Sequence, residues 1–181
     1  TMNTKEGADN TVFGSGSMYT NTSGSYNTAI GRYSLTLNTT GDRNNGLGNN
    51  SLYNNTTGSY NVGIGNYALF NNKTAGSNVA VGDEAMFSNL SGSNNTAIGG
   101  AALRANTTGG ENSAFGYLAL KSNTTGTRNT ALGLSTLFNN LEGTTNIAIG
   151  REALYSNTTG SYNTILGSTA GFNNTTGSRN I

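Results

Sequence analysis

The sequence predicts a mainly β fold, a parallel β-roll or β-helix solenoid of about ten coils of seventeen residues each, and three observations predict it. Asparagine recurs at every seventeenth position from Asn10 through Asn27, Asn44, Asn61, Asn78, Asn95, Asn112, Asn129, Asn146 and Asn163 to Asn180, without a miss. A second asparagine row keeps the same spacing from Asn21 to Asn174, and a glycine closes each short apolar run in equal steps from Gly14 to Gly167. A register this strict marks a stack of one small unit in which each copy packs on its neighbours. Residues 1–181 therefore form a single repeat domain.

The first element of each unit follows the leading asparagine, as in Asn95-Thr96-Ala97-Ile98-Gly99. Its alternation of β-branched, small and large apolar residues predicts a short strand. The large apolar column (Phe13, Ile30, Leu47, Ile64, Val81, Ile98, Phe115, Leu132, Ile149, Leu166) is read as core. The small column between (Ala29, Gly46, Gly63, Ala80, Ala97, Ala114, Ala131, Ala148) then points to a second face that is also closely covered.

The second element pairs Ala or Ser with Leu or Met, as at Ser34-Leu35, Ala85-Met86 and Ala102-Leu103, and gives a second core column. Good helix formers around Glu84 and Glu152 set a single helical turn against a short strand here. The third element, Asn-Thr-Thr-Gly, as at residues 55–58 and 123–126, carries turn chemistry. Asparagine bonds its own backbone and glycine supplies positive φ. Stacked at about 4.8 Å, the spacing of strands in a sheet, the two asparagine rows should form hydrogen-bonded amide ladders from coil to coil.

Composition narrows the chemistry. The chain has no histidine and no cysteine, so the commonest general base, the commonest metal ligand, disulfides and thiolate nucleophiles are all missing. It has no proline, in keeping with a lattice in which most backbone N–H groups donate to the next coil. A formal charge of +1, from scattered single charges, offers no basic stripe for nucleic acid. The apolar runs are far short of the roughly 20 residues of a membrane-spanning helix, so membrane insertion is not expected. No catalytic residue, metal site or cofactor is expected.

Two columns are candidates for ligand binding. The position before the leading asparagine varies, holding Tyr26, Arg43, Tyr60, Arg128 and Tyr162, and variation at one phase of a strict repeat marks solvent exposure. The position after the core Leu is rich in aromatics, Tyr53 and Tyr155 among them, with interruptions at Thr36, Arg104 and Lys121. It reads either as a stacking platform for sugar rings or as an aromatic ladder packed against an oligomer partner or a neighbouring turn.

The Asn-Thr-Ala-Ile-Gly element, repeated with variations from residue 10 to residue 167, resembles the repeats of trimeric autotransporter adhesin heads and of bacterial and phage tail-fibre-like proteins. That resemblance implies a homotrimer at the surface of a cell or virion, outside the cytoplasm. It also implies non-catalytic attachment to a cell-surface polysaccharide or protein receptor, or service as a rigid spacer. The thin core of one rod and its small-residue face also predict self-association through that face. Ending at Asn180-Ile181, the first two positions of a further unit, the chain is expected to be a segment of a longer fibre protein. Two other functions compete with attachment. An ice-binding solenoid would use ranks of Thr, but the turn rows are broken by Lys73, Leu90, Leu141 and Glu142. A tailspike-like glycan hydrolase needs a pair of facing carboxylates, and only Asp83 and Glu84 are adjacent in the chain.

Overall fold

The computed structural model describes residues 7–181. Ten three-residue strands, from β1 (Thr11–Phe13) and β2 (Thr28–Ile30) through β6 (Thr96–Ile98) and β7 (Ser113–Phe115) to β10 (Thr164–Leu166), form one parallel sheet in chain order. Every pairing advances by one repeat, with Ala97 beside Ala114 and Ile98 beside Phe115. Parallel neighbours need a long crossover, and the remainder of each coil supplies it.

The orientation of the strands reverses the expectation drawn from hydropathy. Ala29, Ala80, Ala97, Ala114, Ala131 and Ala148 are fully buried, whereas Ile30, Ile98 and Leu132 are 37%, 40% and 46% exposed. The large apolar column is therefore the outer face of the sheet, and the small column lines the interior. Volume decides this. The opposite wall of the coil fills the lumen with Met18, Leu35, Leu52, Leu69, Met86 and the leucines that follow, all fully buried, and two facing rows of large side chains would overpack it.

The compensations along the column support that account. Strand residues Gly46 and Gly63 lie where Ser34 and Ser51 replace alanine on the facing wall, and each serine hydroxyl donates to the glycine carbonyl, at 2.9 and 2.7 Å. At the far end Gly171 stands in the leucine column, and the inward strand residue there is Ile165, which packs against the core.

The Ala-Leu segment is neither strand nor helical turn. Its backbone takes positive φ at alternate residues, such as Tyr33 (59°) and Leu35 (50°), or Ala101 (53°) and Leu103 (50°). This geometry turns the N–H groups along the rod: Tyr33 donates to Ser15 O in one direction and Leu35 to Ser51 O in the other, at 2.9 and 3.0 Å. A helix cannot substitute, because it uses its N–H groups internally and, at about 10 Å across, is twice as thick as the space between stacked coils. Each left-handed non-glycine residue costs about 1–2 kcal/mol, offset here by hydrogen bonds to both neighbouring coils. The closing glycines lie close together as well: a Cβ on Gly99 (φ 134°) would fall 2.6 Å from the carbonyl carbon of Gly116.

Both asparagine ladders are present, fully buried from Asn27 to Asn163 in the first and from Asn21 to Asn157 in the second. In the first, Asn44 donates its backbone N–H to Asn27 Oδ1 at 2.8 Å and its side-chain amide to Gly58 O at 2.8 Å. In the second, Asn38 Nδ2 donates to Asn21 Oδ1 at 2.9 Å and to Gly41 O at 3.0 Å. Asn27 Nδ2 also donates to Gly41 O, at 2.9 Å, so one turn carbonyl in each coil ties the two ladders together. Among the described residues no helix is long and apolar enough to cross a membrane.

Candidate functional site

With the interior filled, the outward columns are where this chain can meet a ligand. The residue before each leading asparagine adopts positive φ, 60° at Tyr26, 54° at Arg43, 62° at Tyr60, 58° at Arg128 and 60° at Tyr162. That bend throws the side chain away from the rod. Tyr26, Tyr60 and Tyr162 are 55%, 56% and 57% exposed.

Three of these residues form one cluster. The Arg43 guanidinium lies between two phenol rings, 5.2 Å from the centroid of Tyr26 and 5.3 Å from that of Tyr60, and its Nη1 donates to the Tyr60 hydroxyl at 2.9 Å. Each such cation–π contact contributes about 0.5–1 kcal/mol at an exposed site, enough to hold the strip in one arrangement. The resulting surface offers aromatic area and fixed N–H and O–H donors, the chemistry that recognises a hydroxylated or anionic ring. Arg128 is engaged elsewhere, its Nε donating to the Glu111 carboxylate at 2.9 Å. Tyr162 lies beneath Arg179, 5.8 Å from ring to guanidinium. From Tyr26 to Tyr162 is eight coils, roughly 40 Å, so the column holds separate clusters and not one site.

The second aromatic column is stacked along the rod. Tyr53, Phe70 and Phe87 follow one another at 5.3 and 5.2 Å, and Phe138, Tyr155 and Phe172 at 5.0 and 4.9 Å. The two stacks end on cations at the interruption, Arg104 over Phe87 at 5.4 Å and Lys121 over Phe138 at 4.9 Å. Arg104 also pairs with Glu84 at 2.6 Å. Both faces of Tyr155 are covered by its neighbours, so it offers a ligand its edge. Tyr53 is stacked on one side only, by Phe70, because Thr36 stands at the next position on the other.

A second tyrosine set, which the sequence does not single out, leans against this column. Tyr67 meets Phe70 edge-on at 5.5 Å, and Tyr33 meets Tyr53 edge-on at 6.3 Å. Their signal in the sequence is the spacing: each stands three residues before a position of the aromatic column. Beside Tyr33 lies an open cleft of about 380 Å³ lined by Ser15, Gly16, Tyr19, Tyr33 and Thr36.

The sheet itself presents two outward columns, Thr28 to Thr164 and Ile30 to Leu166, with the apolar one 77% exposed at Phe13 and 75% at Leu166. Among the described residues no three Asp or Glu side chains gather as a metal site would require. No protein-family model, curated protein or solved structure matches the chain.

Proposed function

We propose that this chain is a rigid, non-catalytic fibre segment that works at the surface of a cell or virion, attaching to a surface polysaccharide or protein receptor or holding another domain at a distance. The observation that carries the reading is the division of labour within the coil. Interior positions repeat with few exchanges, while the variable residues, Tyr26, Arg43, Tyr60, Arg128 and Tyr162 among them, lie outside where a partner can reach them. An enzyme needs reactive groups converging on one point, and here the exposed groups are spread along an axis.

The rod works as a homotrimer in this proposal. Its ten-strand sheet carries a continuous outward apolar column, and a soluble chain leaves a surface of that kind bare at a cost in solubility. Packing three sheets about a common axis covers it. Hydropathy assigns the interface to the Ala/Gly face; that face is internal, and the Ile/Leu/Phe column takes its place. Glycan-array and cell-binding measurements on the purified chain test attachment. Binding that falls at least tenfold in Arg43→Ala, with the fold intact, supports it; absence of binding to any glycan or cell surface leaves the spacer reading alone.

One observation favours a second reading. Thr11, Thr28, Thr96, Thr130 and Thr164 stand on the flat outer face of the sheet and not in the turn, as an ice-binding surface would require. The same column holds Asn45, Val62, Val79 and Ile147, and bulky Phe13 and Phe115 stand beside it, so attachment is preferred. Thermal hysteresis at millimolar protein would reverse that preference.

A further inference from the structure

We propose that the cleft at Thr36 is a carbohydrate subsite that takes one neutral pyranose ring; the proposal deepens the attachment reading and rests on it. Two coils of the same rod, set side by side, carry it. Around Phe70 the arrangement is complete: the ring is stacked between Tyr53 at 5.3 Å and Phe87 at 5.2 Å, and Tyr67 from the same coil packs edge-on against it at 5.5 Å. Two coils earlier the surrounding groups recur. Tyr19 and Tyr53 take the places of the flanking rings, Tyr33 takes the place of Tyr67, and the central ring is replaced by Thr36.

The stack therefore lacks a rung at Thr36: Tyr33 leans edge-on against Tyr53 at 6.3 Å on one side, and the cleft of about 380 Å³ opens on the Tyr19 side, walled by Tyr19, Tyr33 and Thr36 with Gly16 and Ser15 beside them. Its walls are held in place. Thr36 is 7% exposed and its hydroxyl donates to Gly16 O at 2.9 Å. The Tyr33 ring rests against Gly16, where any Cβ would strike it. Arg32 covers Tyr33, its guanidinium 4.6 Å from the ring centroid.

The chemistry of the lining selects the ligand. Tyr19, 55% exposed, offers an open aromatic face on which the C–H face of a sugar stacks. Ser15, Tyr19 and Tyr33 each bring a hydroxyl to the lining, that of Tyr33 also accepting from Arg32 Nη2 at 3.4 Å, the groups that pair with hydroxyls at a sugar's edge and that a flat hydrocarbon ring does not use. None of the five lining residues is charged, and the Arg32 guanidinium is engaged on the Tyr33 ring and hydroxyl, a lining that suits a neutral hexose. The adjacent rungs at about 4.8 Å per coil leave room for one ring, not two.

The test is a 1H–15N titration of the full chain with methyl β-D-glucopyranoside, methyl β-D-galactopyranoside and methyl α-D-mannopyranoside, with phenol as the flat-ring control. At least one glycoside should move the Gly16 and Thr36 amides with a dissociation constant of about 1 mM, and Thr36→Phe, which installs the missing rung, should weaken this at least tenfold. If Thr36→Phe disturbs the spectrum elsewhere, Tyr19→Ala, which removes an exposed wall, decides the matter by the same loss. The proposal is overturned if no glycoside moves those amides at about 50 mM, if phenol does so and the sugars do not, or if the folded variant binds as the parent does. Persistent glycan-array binding alongside any of these results would leave attachment standing with its site elsewhere; no array binding at all would remove both.

Discussion

At the scale of single residues, the interior is governed by asparagine. Asn95 receives the Asn112 backbone N–H on its Oδ1 at 2.9 Å, and its Nδ2 donates to Gly109 O at 2.9 Å and to Asn78 Oδ1 at 3.2 Å. Replacing Asn95 by Ala strands a buried N–H and weakens the hold on a turn carbonyl, so a loss of about 2–4 kcal/mol is expected from urea unfolding. Asn95→Asp should cost more, since a carboxylate oxygen would face Gly109 O with no proton between. A second prediction uses backbone strain. Ala101 sits at φ 53° and is only partly buried, so Ala101→Gly should be neutral or stabilising by up to about 1 kcal/mol, the reverse of its usual effect. A clear drop in the unfolding midpoint would argue against left-handed strain at this position.

At the scale of the element, the three-residue strand shows what the sequence discloses and what it conceals. The strand, its register and the ladder partners of Asn27 and Asn21 follow from period and residue type alone. The facing does not. Thr96-Ala97-Ile98 alternates equally well either way, hydropathy favours Ile98 inside, and only the volume of Leu103 and its neighbours in the opposite wall puts Ala97 there. Nor does leucine carry any sequence mark for positive φ, which is why the Ala-Leu segment reads as helix or strand. Among the surface residues, the column of Tyr26, Arg43 and Tyr60 is legible from its variability. That Arg128 belongs to Glu111, and that Tyr33 borders an empty rung, depends on distances across neighbouring coils. The facing yields a contrast in stability. Ala97→Leu overfills the lumen and should cost about 1–3 kcal/mol, whereas Ile98→Asp should leave the isolated chain folded, as followed by circular dichroism during thermal melting. Equal destabilisation by the two would reverse the assignment of inside and outside.

At the scale of the whole molecule, Ile98 is where the fold and the proposed trimer can be tested apart. Sedimentation equilibrium should give a trimer for the parent and a shift toward monomer for Ile98→Asp, with the Ala-lined interior undisturbed. A monomeric parent at micromolar concentration would remove the trimer from the proposal. The ion pairs seen, Glu84 with Arg104, Glu111 with Arg128 and Arg151 with Glu152, lie at the surface and contribute at most about 1 kcal/mol each. What holds the rod is buried amide and apolar contact, which salt screens little.

Because each buried amide answers only to its own coil and the adjacent ones, the rod can be shortened or lengthened without being redesigned. Excising residues 95–111 would bring Asn78 beneath Asn112 and Ala80 beneath Ala114, and the buried contacts would find like replacements, while Arg128 would lose Glu111 at the surface. Removing Ala97 alone would leave one coil a residue short against its neighbours. The length of the rod therefore comes in increments of one coil, about 4.8 Å, and recombination between repeats is a ready route by which that length is reset.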